Sequence, residues 1–282
     1  MASNSDPLSS QVDPLRVSYA TGRMLGVDDF QAEQTYHRGR LARVLATAMG
    51  SGTLSGLNVQ TNGAATAADL ELQVTPGVAI DRAGRVIDVP YQVCIRLDKY
   101  LKDADNQKKL VDAFKGGFII ADVFVSFVAC DRGKTPSFAT LSDYDATDAF
   151  VPNRVLDSFA MLLVLRTESN PGIPQDAWQT VAKLGPPAGD QSANLKALKQ
   201  AILAAKDAPS ANFPEYPQDR EFDKTSVFLA RMKIPATQAG AGATPTYDLT
   251  KVNNDSIDNL SRLFLYPAAL LARWAGLTTG GV

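Results

Sequence analysis

The spacing of apolar residues changes at Gly50, and this change limits the folds that the chain can adopt. Before Gly50, residues 28–49 (DDFQAEQTYHRGRLARVLATAM) repeat with the period of a helix, which predicts one long helix. After Gly50, short β-branched segments alternate with a period of two between glycine, proline or polar turns. We therefore expect an α+β fold: a mostly β, sandwich-like body with one long N-terminal helix and additional helices in the C-terminal half.

Several segments carry the strand pattern. Residues 119–129 have an apolar residue at every odd position, which predicts a strand with one fully buried face. Residues 154–167 predict a strand of the same kind. The long helix is expected to begin with a capping box of Asp28 and Gln31 and to end at Gly50. The other predicted strands are residues 16–20, 52–60, 70–74, 77–81, 85–89, 91–97 and 225–234, and the other predicted helices are residues 105–114, 192–207 and 267–276.

The chain divides into three parts on composition. Residues 1–15 are polar with two Asp-Pro steps and predict an extended arm that gains order only in an assembly, so that its deletion would leave the melting temperature unchanged. Residues 16–167 hold the helix and a β-sandwich domain. Residues 168–282 hold a helical insertion, a returning strand and a C-terminal helix, all expected to pack on the same body.

Charge and composition exclude several classes of partner. With 28 Lys and Arg against 30 Asp and Glu, the chain has no basic excess to neutralise nucleic acid. It has no apolar run long enough for membrane insertion and no signal-peptide pattern at its N-terminus. Cys94 and Cys130 lie in apolar alternating segments and indicate buried thiols of a reducing compartment. We expect a soluble protein that is made in the cytoplasm.

Short motifs do not indicate a catalytic, cofactor or metal site. The segment CDRGKT is similar to the end of a phosphate-binding loop, but Val128 stands where that loop needs glycine. Asp143, Asp145 and Asp148 form an acidic stretch without the glycine and glutamate of a calcium-binding hand. His37 is the only histidine, and no nucleophile motif accompanies it. We expect no catalytic residue, no bound cofactor and no metal.

The hairpin pattern TPGVAIDRAGRVIDVP, residues 75–90, indicates a surface element. Ala83 and Gly84 supply a tight turn between two short strands. Asp81 and Arg85 flank the turn, where we expect them to pair for little net energy. The segment has neither aromatic residues nor convergent hydrogen-bond donors, so it is not expected to hold a ligand.

Five blocks of sequence carry a resemblance to known proteins. The blocks are Gly22 to Leu25, Asp28 to Phe30, Glu33 to Tyr36, Gly50 to Val59 and Val74 to Ile87. Together they resemble a family of proteins encoded with contractile phage tails and extracellular contractile injection systems. The same N-terminal blocks are similar to the shoulder region of TssK, the trimeric baseplate adaptor of type VI secretion. A looser likeness extends from residue 16 to residue 266.

The resemblance implies a structural role without a catalytic residue. It implies a subunit peripheral to the baseplate, acting as an adaptor or fibre-attachment protein, which joins the particle or virion after assembly in the cytoplasm. The implied partners are copies of the same chain, most simply as a homotrimer, together with baseplate subunits and a tail fibre or cell-surface receptor.

One face of the predicted N-terminal helix mixes polar and apolar residues, which is more typical of a subunit contact than of a monomer core. Val44, Leu45 and Ala48 continue this face. The apolar C-terminal segment is the second expected contact, and the alternative is that both segments pack on their own β body. The expected interface residues are Phe30, Gln34, His37, Leu41 and Trp274.

Two other functional classes remain open on the sequence. A receptor-binding or carbohydrate-binding module would expose aromatic side chains, and Phe213 with Tyr216 in a proline-rich loop is the best candidate pair. The remaining aromatic candidates are Tyr91, Tyr100 and Tyr144. A hydrolase acting on cell-wall glycans would need two facing carboxylates, and no pair is indicated.

The first testable prediction concerns ligands. Because Val128 blocks the phosphate loop and His37 has no partner ligands in sequence, we expect neither stoichiometric zinc after purification without chelator nor micromolar ATP binding. Elemental analysis and isothermal calorimetry measure these two quantities. A mole of zinc per mole of chain, or a saturable heat of ATP binding, would contradict the prediction.

Overall fold

The computed structural model describes residues 6, 8, 15–64, 66–136, 150–175, 199, 213–218, 222–268 and 270–271. Strands dominate these residues, and the predicted mostly β α+β class is confirmed. The helices are α1 (Val27–Ala48), α2 (Leu97–Leu101) and α3 (Ala104–Ala113). The strands are β1 (Gly52–Gly56), β2 (Val59–Thr61), β3 (Glu71–Val74), β4 (Gly77–Ile80), β5 (Val86–Val89), β6 (Val93–Arg96), β7 (Phe114–Lys115), β8 (Phe118–Arg132), β9 (Thr135–Pro136), β10 (Phe150–Val151), β11 (Arg154–Leu165), β12 (Val227–Thr237), β13 (Thr246–Tyr247) and β14 (Ile257–Asp258).

Most predicted elements are present, with differences at the ends of the chain. Helix α3 lies where residues 105–114 predicted a helix, but residues 16–20 form no strand. The helix predicted for residues 192–207 lies outside the described residues except for the helical residue 199. The C-terminal helix also lies largely outside them, although residues 268, 270 and 271 are helical.

The N-cap of helix α1 lies two residues before the predicted cap, Asp28. Its N-cap is Gly26, whose N–H donates to the Asp29 carboxylate at 3.0 Å, and Arg23 pairs with the same carboxylate at 2.7 Å. The predicted capping box of Asp28 and Gln31 is therefore wrong, because Asp29 is the acid that faces the chain entering the helix. The predicted C-terminal stop is present, with Gly50 at a φ of 83°.

The largest sheet is antiparallel, with strand order β11-β8-β12-β13, and β7 and β14 pair with β8 and β12. Residues Ile119 to Phe127 at odd positions of β8 face the main core, as predicted. The opposite face is covered too, because Phe124 packs against Tyr216 and Phe228. The strand thus has two buried faces, where the sequence pattern indicated one.

Two three-stranded sheets, β1-β4-β5 and β2-β3-β6, pack with α2 and α3 against one face of the large sheet. The chain after β12 returns to these small sheets. Asn259 binds the backbone N–H and C=O of Val59 at 2.9 and 2.8 Å, and residues 263–265 bind Thr53 as a parallel bridge. These contacts join the late part of the chain to the early strands in one body.

The hairpin of β4 and β5 supports α1. Its turn is closed by hydrogen bonds between Asp81 and Arg85 and from the Gly84 N–H to Asp81, and Gly84 has a φ of 83°. A Cβ atom at Gly84 would overlap the carbonyl oxygen of Ala42, the most buried residue of α1. The helix therefore lies directly on the hairpin turn, backbone against backbone.

We predict that Gly84→Ala costs much more stability than Gly63→Ala. Both glycines have positive φ, so alanine costs about 1–2 kcal/mol at either position. Only Gly84 contacts other backbone, and the overlap with Ala42 adds about 1–3 kcal/mol. Urea unfolding measures the difference, and equal losses in the two variants would contradict this packing of α1.

Candidate functional site

Four carboxylates are buried among the described residues, and each one binds an arginine. They are Asp6, Asp81, Asp122 and Glu215. Buried charges are tolerated only when they are paired and hydrogen-bonded, so these pairs mark positions where distant parts of the chain are held together.

The first group, which we call the arm–hairpin network, consists of Asp6, Arg38, Asp81, Arg85 and Thr225. The Arg85 Nε donates to Asp81 Oδ2 at 2.6 Å, and its two terminal nitrogens reach Asp6 at 3.1 Å and Thr225 at 2.7 Å. The same guanidinium lies 4.7 Å from the centre of the Phe127 ring. Each of the three guanidinium nitrogens of Arg85 thus donates to a partner within the chain.

The N-terminal arm is fixed by this network at two residues. Asp6 pairs with Arg38 of α1 at 3.2 Å as well as with Arg85, and the Leu8 side chain packs at Gly39 of α1. The expectation that the arm orders only in an assembly is therefore wrong for Asp6 and Leu8. Asp6 pairs with two distant arginines and Leu8 packs at Gly39, and no local pattern in the sequence indicates either contact.

The pairing of Asp81 with Arg85 also differs from its prediction. The Asp81 carboxylate is fully buried and Arg85 is 7% exposed, so this is not a solvent-screened surface pair. Burial raises the pKa of the Asp81 carboxyl, although the positive charge and hydrogen bonds of Arg85 act in the opposite direction. Removal of Arg85 would leave the Asp81 carboxylate unpaired in the interior, whereas removal of Asp81 would leave Arg85 with Asp6 as a carboxylate partner.

A second group crosses the large sheet. Asp122 on β8 binds both Arg166 and Arg231, and Arg166 also reaches Glu168 at 3.0 Å. Arg231 donates to the carbonyls of Pro171 and Gly172 at 2.7 and 2.6 Å, while Arg166 donates to the Glu215 carbonyl. Both arginines thus fasten irregular segments to the outer face of the sheet.

The third group surrounds Arg82 in the hairpin turn. Its guanidinium stacks on Phe213 at 3.6 Å from the ring centre, pairs with Glu215 and donates to the Tyr216 hydroxyl at 2.7 Å. The Tyr216 hydroxyl donates in turn to the Ser226 carbonyl at 2.9 Å, and burial raises the pKa of Tyr216 to about 12. The Tyr216 ring is buried, and the Phe213 ring is half-buried beneath Arg82.

The hypothesis that exposed aromatic residues bind carbohydrate therefore loses its best candidate pair, Phe213 and Tyr216. Tyr216 is buried and Phe213 is covered by Arg82. Tyr100 is also packed, with its hydroxyl donating to the Leu163 carbonyl at 2.5 Å and burial raising its pKa to about 12. Tyr91 is exposed, and Tyr144 lies outside the described residues.

A narrow cleft lies beside Arg82, Glu215, Tyr216 and Ser226. Its volume of about 10 Å³ is roughly that of a single water molecule. Among the described residues, Glu215 Oε2 has no hydrogen-bond partner. The enclosed space beside it is that of one water molecule, whereas small-molecule sites are usually hundreds of Å³ in volume.

The cysteines and the histidine do not form a common site in the described part of the chain. Cys94 is exposed and Cys130 half-buried, both as free thiols, so the prediction of buried thiols is wrong for Cys94. His37 is solvent-exposed, with Nε2 3.5 Å from Glu33 Oε1. Among the described residues, no three His, Cys, Asp or Glu side chains converge as metal ligands. The acidic stretch of residues 143–148 lies outside this part of the chain.

The expected interface residues on α1 share an exposed surface. Phe30 is 55% exposed and Leu41 61% exposed, and Gln34 and His37 between them are exposed as well. Within the described part of the chain, the β body does not cover this face. Trp274 lies outside the described residues.

Sequence reasoning missed the buried arginines. Arg166 and Arg231 each follow or interrupt a run of apolar strand residues, as Asp122 does in β8. A charge inside such a run signals a buried partner of opposite charge, because an unpaired one would be too costly. That pattern indicates that a partner of opposite charge exists, but it does not identify the partner.

In the part of the chain that the structure describes, none of the helices has the length and hydrophobicity of a transmembrane segment. No protein-family model matches the chain, and no curated protein matches it significantly.

We predict that Asp6→Ala lowers the free energy of unfolding by about 3 kcal/mol, because it leaves Arg85 buried with one carboxylate partner fewer. Asp255→Ala is the matched control, since Asp255 is exposed, and its effect should stay within about 0.5 kcal/mol. Urea unfolding of the two variants provides the comparison. Equal unfolding midpoints would mean that the arm does not contribute to stability.

Proposed function

We propose that this chain is a structural subunit of a contractile injection system or a contractile phage tail, peripheral to the baseplate, where it acts as an adaptor or fibre-attachment protein. It would be made in the cytoplasm and then become part of the particle. Its partners would be copies of itself, baseplate subunits, and a tail fibre or cell-surface receptor. The sequence blocks from Gly22 to Ile87 support the particle assignment by their resemblance.

The structural role is supported by the way α1 is attached to the hairpin of β4 and β5. The helix is held against the hairpin by buried charges and a backbone contact, yet Phe30, Leu41 and Val44 on its other side are at least half exposed. Exposed apolar surface of this extent is typical of protein–protein contacts. A body that presents such a helix is suited to assembly.

The alternatives have less support. A receptor-binding or carbohydrate-binding module would need exposed aromatic residues, and Phe213 and Tyr216 are engaged by Arg82. A cell-wall glycan hydrolase would need a free acid opposite a second carboxylate, whereas every buried carboxylate of the described residues is neutralised by arginine.

The test uses particles purified from cells with and without the gene for this chain. We expect the chain to co-purify with particles, and its absence to remove a peripheral part of the baseplate density in electron microscopy. A sheath protein with its own deletion provides the control for loss of whole particles. Unchanged baseplate density in the deletion strain would contradict the proposal.

A further inference from the structure

The N-terminal arm contains the same tripeptide twice. The chain has two Asp-Pro steps and a leucine follows each of them, which gives a first tripeptide, Asp6-Pro7-Leu8, and a second tripeptide, Asp13-Pro14-Leu15. The two leucines differ in their environment, because Leu8 is 8% exposed whereas Leu15 is 76% exposed. The leucine of the first tripeptide is therefore packed on the body, and the leucine of the second is not.

The first tripeptide is bound by what we call the arm site, which consists of Arg38 and Gly39 on α1 and Arg85 on the hairpin of β4 and β5. The Asp6 carboxylate bridges the two arginines, at 3.2 Å from Arg38 and 3.1 Å from Arg85. The Leu8 side chain packs at Gly39, where a Cβ atom would lie 3.4 Å from a leucine methyl group. The arm site thus binds a carboxylate and, two residues later, a leucine side chain.

The conformation that presents these two groups is local. The Leu8 N–H donates to the Asp6 Oδ1 at 3.3 Å, which closes a short turn between the two residues. An Asp-Pro sequence favours such a turn, because aspartate bonds the backbone two residues on and the proline ring restricts φ. The second tripeptide consists of the same three residues, so it has the same preference and carries both groups that the arm site binds.

We propose that the arm site is a binding site for Asp-Pro-Leu segments, and that the second tripeptide of the same chain is its alternative occupant. The two tripeptides exclude each other, because each carboxylate needs both arginines. Their exchange shifts the arm by the seven residues between Asp6 and Asp13 and releases residues 1–12 from the body. The proposal concerns the isolated chain and goes beyond the particle role, so that either can fail without the other.

The second tripeptide can reach the arm site. Val27 and Gly39 are twelve residues apart in α1, which is about 18 Å along the helix. Residues 16–26 connect the second tripeptide to the start of α1, and eleven extended residues span up to about 36 Å. The connecting segment is therefore long enough to pass along the helix as far as the arm site.

The first tripeptide is the preferred occupant, because it leaves the connecting segment undisturbed. The Arg23 guanidinium donates to the Ser18 carbonyl at 2.7 Å within this segment. Binding of the second tripeptide stretches residues 16–22 toward the arm site and breaks this contact. Asp6→Ala is therefore expected to lose stability, as predicted above, but the second tripeptide limits the loss.

The first experiment compares urea unfolding midpoints in a cycle of two substitutions. Asp13→Ala alone is expected to leave the wild-type midpoint unchanged, since the first tripeptide fills the arm site. In the Asp6→Ala background the same substitution is expected to lower the midpoint further, because neither carboxylate then remains to bridge the two arginines. Asp255→Ala is the control in that background and should add no loss. Equal midpoints for Asp6→Ala and the Asp6→Ala/Asp13→Ala double variant would overturn the proposal.

The second experiment identifies the occupant by thiol labelling, in chains whose two native cysteines are replaced by serine. Leu15→Cys should react quickly with a maleimide and Leu8→Cys slowly, as the exposures of the two leucines imply. Addition of Asp6→Ala should slow the labelling of Leu15→Cys by about tenfold or more, because this residue is then packed in the arm site.

The labelling control is Ala20→Cys, which replaces an exposed residue of the connecting segment and should react quickly in both backgrounds. General loosening of the protein by Asp6→Ala would speed labelling, so a slower reaction of Leu15→Cys is specific to the exchange. An unchanged or faster reaction of Leu15→Cys in the Asp6→Ala background would overturn it.

The third experiment tests whether the occupant comes from the same chain, by light scattering after gel filtration. Asp6→Ala is expected to have the same mass as the wild type, because the second tripeptide replaces the first within one chain. A larger mass for Asp6→Ala would mean that copies exchange their arms, and this would overturn the assignment to the same chain.

Discussion

Arg85 connects three regions that are far apart in the sequence, and the position of α1 depends on it. Its guanidinium binds Asp81 in its own hairpin, Asp6 in the N-terminal arm and Thr225 just before β12. Asp6 extends the connection to Arg38 on α1. Because these groups are withdrawn from water, a missing partner leaves a charge that nothing else can solvate, so the regions are constrained together.

Arginines that bind distant segments of the chain occur at other places in the protein as well. Arg166 and Arg231 share Asp122 and hold irregular segments on the outer face of the large sheet, and Arg82 holds the segment around Tyr216. No carboxylate of the described residues is in contact with Arg262; its guanidinium donates to the Leu57 carbonyl, and burial lowers its pKa to about 10. Arginines thus hold irregular segments against the sheets. The β body that results supports α1, whose other side faces outward.

Interactions between residues that are close in the sequence explain the parts of the fold that were predicted correctly. The change of period at Gly50, the strand pattern of β8 and the turn at Gly84 all depend on residues close together in the chain, and each is present. Two of the predictions that failed involved contacts over long sequence distances. The pairing of Asp81 with Arg85 was expected but its burial was not, because Arg85 also binds Asp6 and Thr225, which no local pattern connects with the hairpin. The arm was expected to be free for the same reason.

Helical spacing in the sequence determined which residues of α1 lie on one face, including Phe30, His37 and Leu41. It did not determine which face contacts the body, since a face of small residues and a face of mixed residues can each pack on a sheet. The tertiary structure decided this through the close approach of Gly84 to Ala42, which no larger side chain permits. The charge partners were decided in the same way, because Asp6 and Arg85 are 79 residues apart and meet only when the hairpin, the arm and α1 are folded together.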